Sequence, residues 1–527
     1  MGNVMKKLTT NLYTFEKLID GGYLYVDKTE YVWKLVKEPY GIYFLSRPRR
    51  FGKSLTLSTL KAVFQGKKHL FEGLALESKP HEWKEYPIIH LDLGSKDVQN
   101  VAELKTYLTN RVNKVARDYD ITLSVEACDE RFQELIETLG RQDEVVILID
   151  EYDKPILDNA TAEGIEGIRR TMQSFYSVIK ATEPYQRFVF MTGVSKFSKV
   201  SVFSKLNNMT DISMDRRYAT MLGYTQEELE SCFAEHFDRV VQDQGIDRNE
   251  ILAKLEKWYN GYKFHQNAEA VYNPVSVGKF FESNGEFKNY WFETGTPSFL
   301  LKLAREQQFD FETELKRPVS ELAFSSYEVG RLKILPLLLQ TGYLTLKGSH
   351  IRRDQTLYEL GFPNREVEGA FEAYLLEEYS GVERQEVGIY AIELSDMLEA
   401  GDVDGVMQEM RKFFVNIPYD IQMPSEKYYQ TIFYVIFRLI GLFIEAEART
   451  NTGRIDAVVW TDEYVYIFEF KLDGSPEEAL QQIHEKEYHH KYLDSGQQII
   501  LVGANFSTQD RNIESWQVET IDGETSG

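Results

Sequence analysis

The sequence predicts a multidomain α/β protein. It reads as a parallel sheet with helices on both faces, a helical and winged-helix region, and a C-terminal unit of order α-β-β-β-α-β. Three observations carry this. Four short apolar runs, at 41–46, 87–93, 145–150 and 187–195, alternate with longer helix-like segments, the pattern of a parallel sheet. From about Ala219 the pattern turns helical and stays so past Trp291. From Ser425 an apolar helix is followed by three short strands in quick succession.

Composition sets the bounds. A chain of 527 residues is too long for one core, so about three domains are expected. Hydrophobic residues make up 43 % and aromatics 13 %, ample for several cores. Cys128 and Cys232 fit no disulfide or metal spacing, which points to a reducing cytoplasm. The N-terminus has no apolar run long enough for a signal peptide or span, and Lys6 stands where a myristoylation signal needs Ser or Thr. The stretch Thr431 to Ile444 contains Arg438 and is too short to cross a bilayer, so no membrane association is expected. A net charge of −23 argues against a general nucleic-acid coat, though not against one local basic groove.

Strand 41–46 (GIYFLS) runs into Arg47-Pro48-Arg49-Arg50-Phe51-Gly52-Lys53-Ser54-Leu55, and an apolar helix follows. Phosphate binding needs backbone N–H groups around the phosphates, a lysine for the β/γ oxygens and a hydroxyl for Mg²⁺. Gly52, Lys53 and Ser54 match the second half of that P-loop pattern, flanked by Arg50, Phe51 and Leu55, while Arg47 stands where the first glycine belongs. Strand 145–150 (VVILID) ends in Asp150 and Glu151. Asp150 is placed to hold Mg²⁺ through water and Glu151 to orient the attacking water, which makes ATP with Mg²⁺ the expected cofactor. Strand 187–195 ends in hydroxyls, so Thr192 or Ser195 is placed to reach the γ-phosphate or its water. These strands are expected in one sheet, with Lys53 and Asp150 at its C-terminal edge.

Residues 333–345 read as a helix, a glycine turn and a strand, and 350–363 complete a small wing. Residues 364–415 read as helical and connective. The expected division is 1–218, 219–365, 366–415 and 416–527. Trp258 and Trp291 are expected in the core, and His489-His490 on a solvated helix face.

The last unit reads as helix 425–442, strands 443–449, 454–460 and 464–471, helix 476–493 and strand 497–502. Asn451-Thr452-Gly453 and Thr461-Asp462-Glu463 supply the turns. Strand alternation puts Glu469 and Lys471 on one face, and the hairpin brings Asp456 to it. Asp456 and Glu469 are hard oxygen ligands for Mg²⁺ or Mn²⁺. Lys471 is suited to orient water or neutralise charge as a phosphodiester is cut. Glu447 is a further candidate for that face. Residues 418–527 hold eight Lys and Arg against nineteen Asp and Glu, a balance of −11. Such a unit does not grip a duplex strongly unaided. Either metal neutralises the site, or the winged helix or Arg47, Arg49 and Arg50 hold the nucleic acid, or the domain does not cut.

Asp27-Lys28-Thr29, RPRRFGKSL (47–55), IDEYDKP (149–155), TGVSKFSKVSVFSKLNNMTDIS (192–213), YNGYKF (259–264), YNPVSV (272–277), YWFETGTPSFL (290–300) and QTGYLTL (340–346) resemble the bacterial AAA-ATPase-like family. In that family the ATPase region is commonly fused to a PD-(D/E)XK nuclease-superfamily domain of restriction-endonuclease-like fold. The resemblance covers nearly the whole chain. It implies an additional strand between the P-loop strand and the strand ending in Asp150, and it accommodates Arg47. It adds Gln482 and Tyr488 to the candidates at the C-terminal site, where Ile455 replaces a proline that the superfamily often lacks. The implied activity is ATP binding or hydrolysis coupled to an Mg²⁺-dependent nuclease, with Glu151, Asp456, Glu469, Lys471 and Gln482 as catalytic residues. The company such architectures keep suggests defence or mobile-element control. The alternative is a nucleotide-dependent switch or scaffold whose nuclease-like domain binds without cutting. DNA or RNA is the expected partner; the sequence leaves self-association open.

Overall fold

The computed structural model describes residues 5–159, 164–196, 208–291, 298–307, 309–321, 334–418, 426–441, 445–451 and 454–521. The chain forms two compact units: Met1–Thr294 with Pro318–Glu366, and Gly295–Arg317 with Val367–Gly527.

The first unit is built on a five-stranded sheet of β1 (Ile42–Ser46), β2 (Ile88–Asp92), β3 (Val145–Asp150), β4 (Gln186–Gly193) and β5 (Thr210–Asp211), in the order β2-β3-β4-β1-β5. Every pairing is parallel. All residues of β3 and β4 are buried, so both faces of the sheet are covered. That is why these strands read as unbroken apolar runs and not as alternating ones. β4 lies between β1 and β3, the additional-strand order that the resemblance implied.

The helices Gln226–Cys232, Ala234–Gln244, Arg248–Tyr259 and Pro274–Glu282 follow. Thr225 and Glu228 form a capping box on the first, and the Asn273 side chain caps the last. Their apolar faces meet through Leu229, Phe233, Phe237, Leu255, Tyr259 and Phe281. The helix Ile334–Thr341 then leads into a hairpin of β7 (Thr345–Arg352) and β8 (Gln355–Gly361), onto which β6 (Val319–Ser320) pairs. This is the expected helix and wing, although 331–333 lie outside the described residues. Gly342 makes the turn at φ +89°, and a Cβ there would fall 2.5 Å from the Pro48 ring. The turn into the wing therefore sits directly on the loop that follows β1.

In the second unit, the helix Glu426–Ile440 precedes β9 (Glu445–Asn451), β10 (Arg454–Trp460) and β11 (Tyr464–Leu472). The helix Pro476–Glu485, β12 (Gln498–Ser507) and β13 (Asn512–Ile521) complete it. The sheet order is β13-β12-β11-β10-β9, with only β11 and β12 parallel. The expected α-β-β-β-α-β order is present, with three differences. The last helix ends at Glu485, and left-handed Glu487 (φ 52°) prevents its continuation. β12 runs further than expected. β13 was not anticipated, because its residues are mostly solvent-facing and give no apolar signal. His489 is therefore on no helix face; it is 8 % exposed and packs edge-on against His484 and His490. Trp291 is buried and Trp258 half-buried. Thr452 and Gly453 of the expected first turn lie outside the described residues, as do 197–207 and 292–297 of the quoted motifs. Among the described residues no helix is long and apolar enough to cross a membrane.

Candidate functional sites

The first site lies at the C-terminal edge of the parallel sheet. β1 ends at Ser46, and the loop reaches the helix Lys53–Phe64 through left-handed Arg50 (φ 67°) and Gly52 (φ 92°). Gly52 is the N-cap, so the free amides and positive end of that helix open onto the loop, an arrangement suited to phosphate. Lys53 is buried, and its Nζ donates to the carbonyls of Arg47 (2.9 Å) and Pro48 (2.8 Å). Burial pulls its pKa down, against the opposing charges of Asp150, Glu151 and Asp153.

Asp150 is the hub. Ser54 Oγ donates to its Oδ2 (2.5 Å), and Thr192 Oγ1 donates to its Oδ1 (2.6 Å). The helix, β3 and β4 thus converge on one carboxylate. Glu151 follows at φ 51°, half-buried, with burial pushing its carboxyl above the usual range and Lys53 drawing it back. Its carboxylate fills space left by Gly94, where a Cβ would collide with it.

Of the other loop candidates, Arg50 is exposed and Leu55 half-buried. Phe51 is an anchor: its ring is buried against Tyr262 (4.7 Å) and Phe264 (5.5 Å). Trp291 Nε1 donates to the Arg49 carbonyl at 3.1 Å. Arg47 corrects the expectation that it helps hold nucleic acid. It is 1 % exposed, donates to the carbonyls of Ser46, Ser213 and Tyr218, and stacks on Phe264 at 4.0 Å. Burial pulls its pKa down to about 9. With its side chain turned into the protein, Arg47 braces the loop from behind.

Sequence reasoning missed Asp153. It is 1 % exposed and accepts hydrogen bonds from Ser195 N (2.6 Å), Ser195 Oγ (2.7 Å) and Val194 N (3.0 Å). It ties the loop after β3 to the end of β4, just beyond Thr192. Ser195, the alternative to Thr192, is engaged there and not with Asp150. The stretch IDEYDKP contained Asp153, but nothing in its spacing marked it as buried.

The second site is on the C-terminal sheet. Asp456 in β10 is directly opposite Glu469 in β11, and directly opposed residues share a face of an antiparallel ladder. The side chains of Asp456 and Glu447 lie outside the described residues. Glu469 is fully buried, and Lys471 Nζ lies 3.5 Å from its Oε1. Gln482, from the helix Pro476–Glu485, donates its amide N–H to Glu469 and accepts from Lys471. Gln482 thus bridges the acid and the base. Tyr488 is half-buried and lies beyond the end of that helix. The hydroxyl and carboxylate of Ser54 and Asp150, and the carboxylate of Glu469 opposite position 456, are hard oxygen donors that fit Mg²⁺ or Mn²⁺. Among the described residues no three His, Cys, Asp or Glu are grouped to hold a metal ion.

A parallel additional-strand sheet with a lysine, hydroxyl and acid at its edge, joined to a mixed sheet with an opposed Asp-Glu pair and a lysine, defines an ATPase-like and nuclease-like protein. Residues 10–203 match the family model described as predicted AAA-ATPase, and 424–516 match that of the PD-(D/E)XK nuclease superfamily. The chain belongs to the AAA-ATPase-like family and carries a C-terminal PD-(D/E)XK nuclease-superfamily domain. It is 38 % identical over 532 residues to the "Uncharacterized protein in vnfD 5'region" of Azotobacter chroococcum mcd 1, covering 98 % of this chain and 99 % of that one. It is also similar to the ORC2 protein of Aeropyrum pernix, solved in ADPNP-ADP complexes, at 11 % identity and a TM-score of 0.24 over 71 % of this chain and 95 % of that one. That likeness is too distant to bear on fold or function.

Proposed function

We propose that the chain binds and hydrolyses ATP at Lys53, Ser54 and Asp150 and uses this to control a divalent-metal-dependent nuclease site at Asp456, Glu469 and Lys471. The observation that carries it is the convergence of Ser54 and Thr192 on Asp150 beside Lys53. ATP would be held by the loop amides and by Lys53, with Mg²⁺ at Ser54 and Asp150. The metal would supply charge neutralisation at the transferred phosphoryl group. Lys53 exchanges two backbone carbonyls for phosphate oxygens, Thr192 keeps the Asp150 carboxylate oriented, and Glu151 aligns the attacking water and receives its proton.

At the second site, Asp456 and Glu469 would hold Mg²⁺ or Mn²⁺. Gln482 fixes Glu469 and Lys471 relative to each other, and Lys471 orients water or meets charge developing on the phosphate. The division into 1–218, 219–365, 366–415 and 416–527, a cytoplasmic setting and a part in defence or mobile-element control belong to the same proposal.

The test is cleavage of DNA and RNA with and without Mg²⁺, Mn²⁺ and ATP. Lys53→Ala is expected to lose ATP binding or turnover. Glu469→Gln is expected to lose cleavage and keep ATP hydrolysis, and Lys471→Ala to keep metal but lose rate. The scaffold reading is favoured by the −11 balance of residues 418–527. A wild type that cuts neither nucleic acid under any of these conditions would support it.

A further inference from the structure

The wing offers a surface that the ATPase and nuclease sites leave unused. β7 and β8 pair as far as Arg352 opposite Gln355, and the two-residue turn is Arg353-Asp354 with φ 49° and 62°. Two consecutive left-handed residues make a tight hairpin turn where Asn and Gly are the usual occupants. An arginine here is held in an unfavourable conformation at the very tip. Ile351 beside it is 76 % exposed, the highest value among the large hydrophobic side chains described.

Arg352 and Arg353 are exposed and enter no ion pair or side-chain hydrogen bond among the described residues. Other basic side chains of the hairpin are engaged: Lys347 donates to the Pro363 carbonyl (3.1 Å), and His350 lies 3.7 Å from Glu359. Among the described residues, the helix before the wing, ILPLLLQT, buries its first five residues and contains no Lys or Arg. A net charge of −23 opposes polyanion binding in general, so the two exposed arginines at the tip, with Asp354 as the one acid in the turn, are a local basic exception of the kind that meets a polyanion.

We propose that the tip Ile351-Arg352-Arg353 docks on duplex DNA, with the arginines against the minor-groove edge and its phosphates and Ile351 as the apolar contact. The hairpin is too wide to enter a minor groove about 6 Å across, but arginine side chains projecting from its tip can, and the groove's negative potential attracts them. An aliphatic side chain between two cations suits contact with sugars and base edges there. This rests on the nucleic-acid reading above and deepens it. It names the class of nucleic acid and supplies the grip that the acidic C-terminal unit lacks.

The test is binding of the full chain to labelled duplex DNA, duplex RNA and single-stranded DNA in EDTA, over a range of salt. Arg352→Glu with Arg353→Glu is expected to weaken duplex DNA binding roughly ten-fold or more and to lower the salt slope by about two, with ATP hydrolysis unchanged. Ile351→Ser is expected to weaken binding without altering the slope. Arg353→Asn suits the left-handed turn better, so its melting temperature should hold or rise while DNA affinity falls; a purely structural role predicts no such loss. Unchanged DNA affinity and slope in the double Glu variant would overturn the inference, as would a wild type that prefers duplex RNA or single strands. A wild type that binds no nucleic acid overturns both readings. If the wild type cuts nothing but the wing variants still lose DNA binding, the nuclease reading fails and the wing inference is supported.

Discussion

Asp153 and Arg47 show how burial turns a charged residue into a brace. Both are 1 % exposed, and both engage backbone groups around the candidate ATP site. Asp153→Ala would leave the amides of Val194 and Ser195 and the Ser195 hydroxyl without their acceptor in the interior. The expected cost is about 3 kcal/mol, read as a lower unfolding midpoint. ATP turnover should fall with it, because the end of β4 that carries Thr192 is then no longer tied to the loop after β3. Arg47 turned inward also explains how a P-loop dispenses with its first glycine. The guanidinium is satisfied behind the loop by the carbonyls of Ser46, Ser213 and Tyr218, and does not compete for space with phosphate.

Among elements, the helix Pro476–Glu485 decides the geometry of the second site, and one glycine lets it approach. Gly503 in β12 is paired with Glu469. A Cβ at Gly503 would collide with the Pro476 carbonyl and lie 2.8 Å from Leu480 Cγ. Gly503→Ala must therefore push the helix outward and carry Gln482 away from Glu469 and Lys471. The expected cost is about 1–3 kcal/mol. If the site is a nuclease, cleavage should fall much more than ATP hydrolysis; equal losses in both would show a general folding defect.

For the whole molecule, acid stability is set partly by histidines that full or partial burial holds neutral. Burial holds His81, His90 and His236 below their ordinary value of 6.5. His236 is nearly inaccessible, packed between Phe233 and Phe281. A depressed histidine pKa means that the unfolded chain takes up protons first as the pH falls. The stability these residues contribute is fully present above about pH 6.5 and declines as the pH falls below it toward the folded values. The unfolding midpoint should drop over that window, and His236→Phe should flatten the drop. A midpoint that rises on acidification would contradict this.

The sequence by itself determined most of the elements and which residues are candidates for the two sites. Lys53 and Ser54 are consecutive, Asp150 and Glu151 end one apolar run, and Glu469 and Lys471 are two apart on one strand. Such local spacings fix which side chains share a face or an edge. Family resemblance brought in the strand order and Gln482, which no spacing could give. Tertiary structure alone decided the rest, because those contacts join residues far apart in the chain. It turned Arg47 inward onto carbonyls more than 160 residues away, buried Asp153 against Ser195, and seated a helix on Gly503. It also placed polar β13 on the sheet edge, where backbone pairing rather than apolar burial holds a strand.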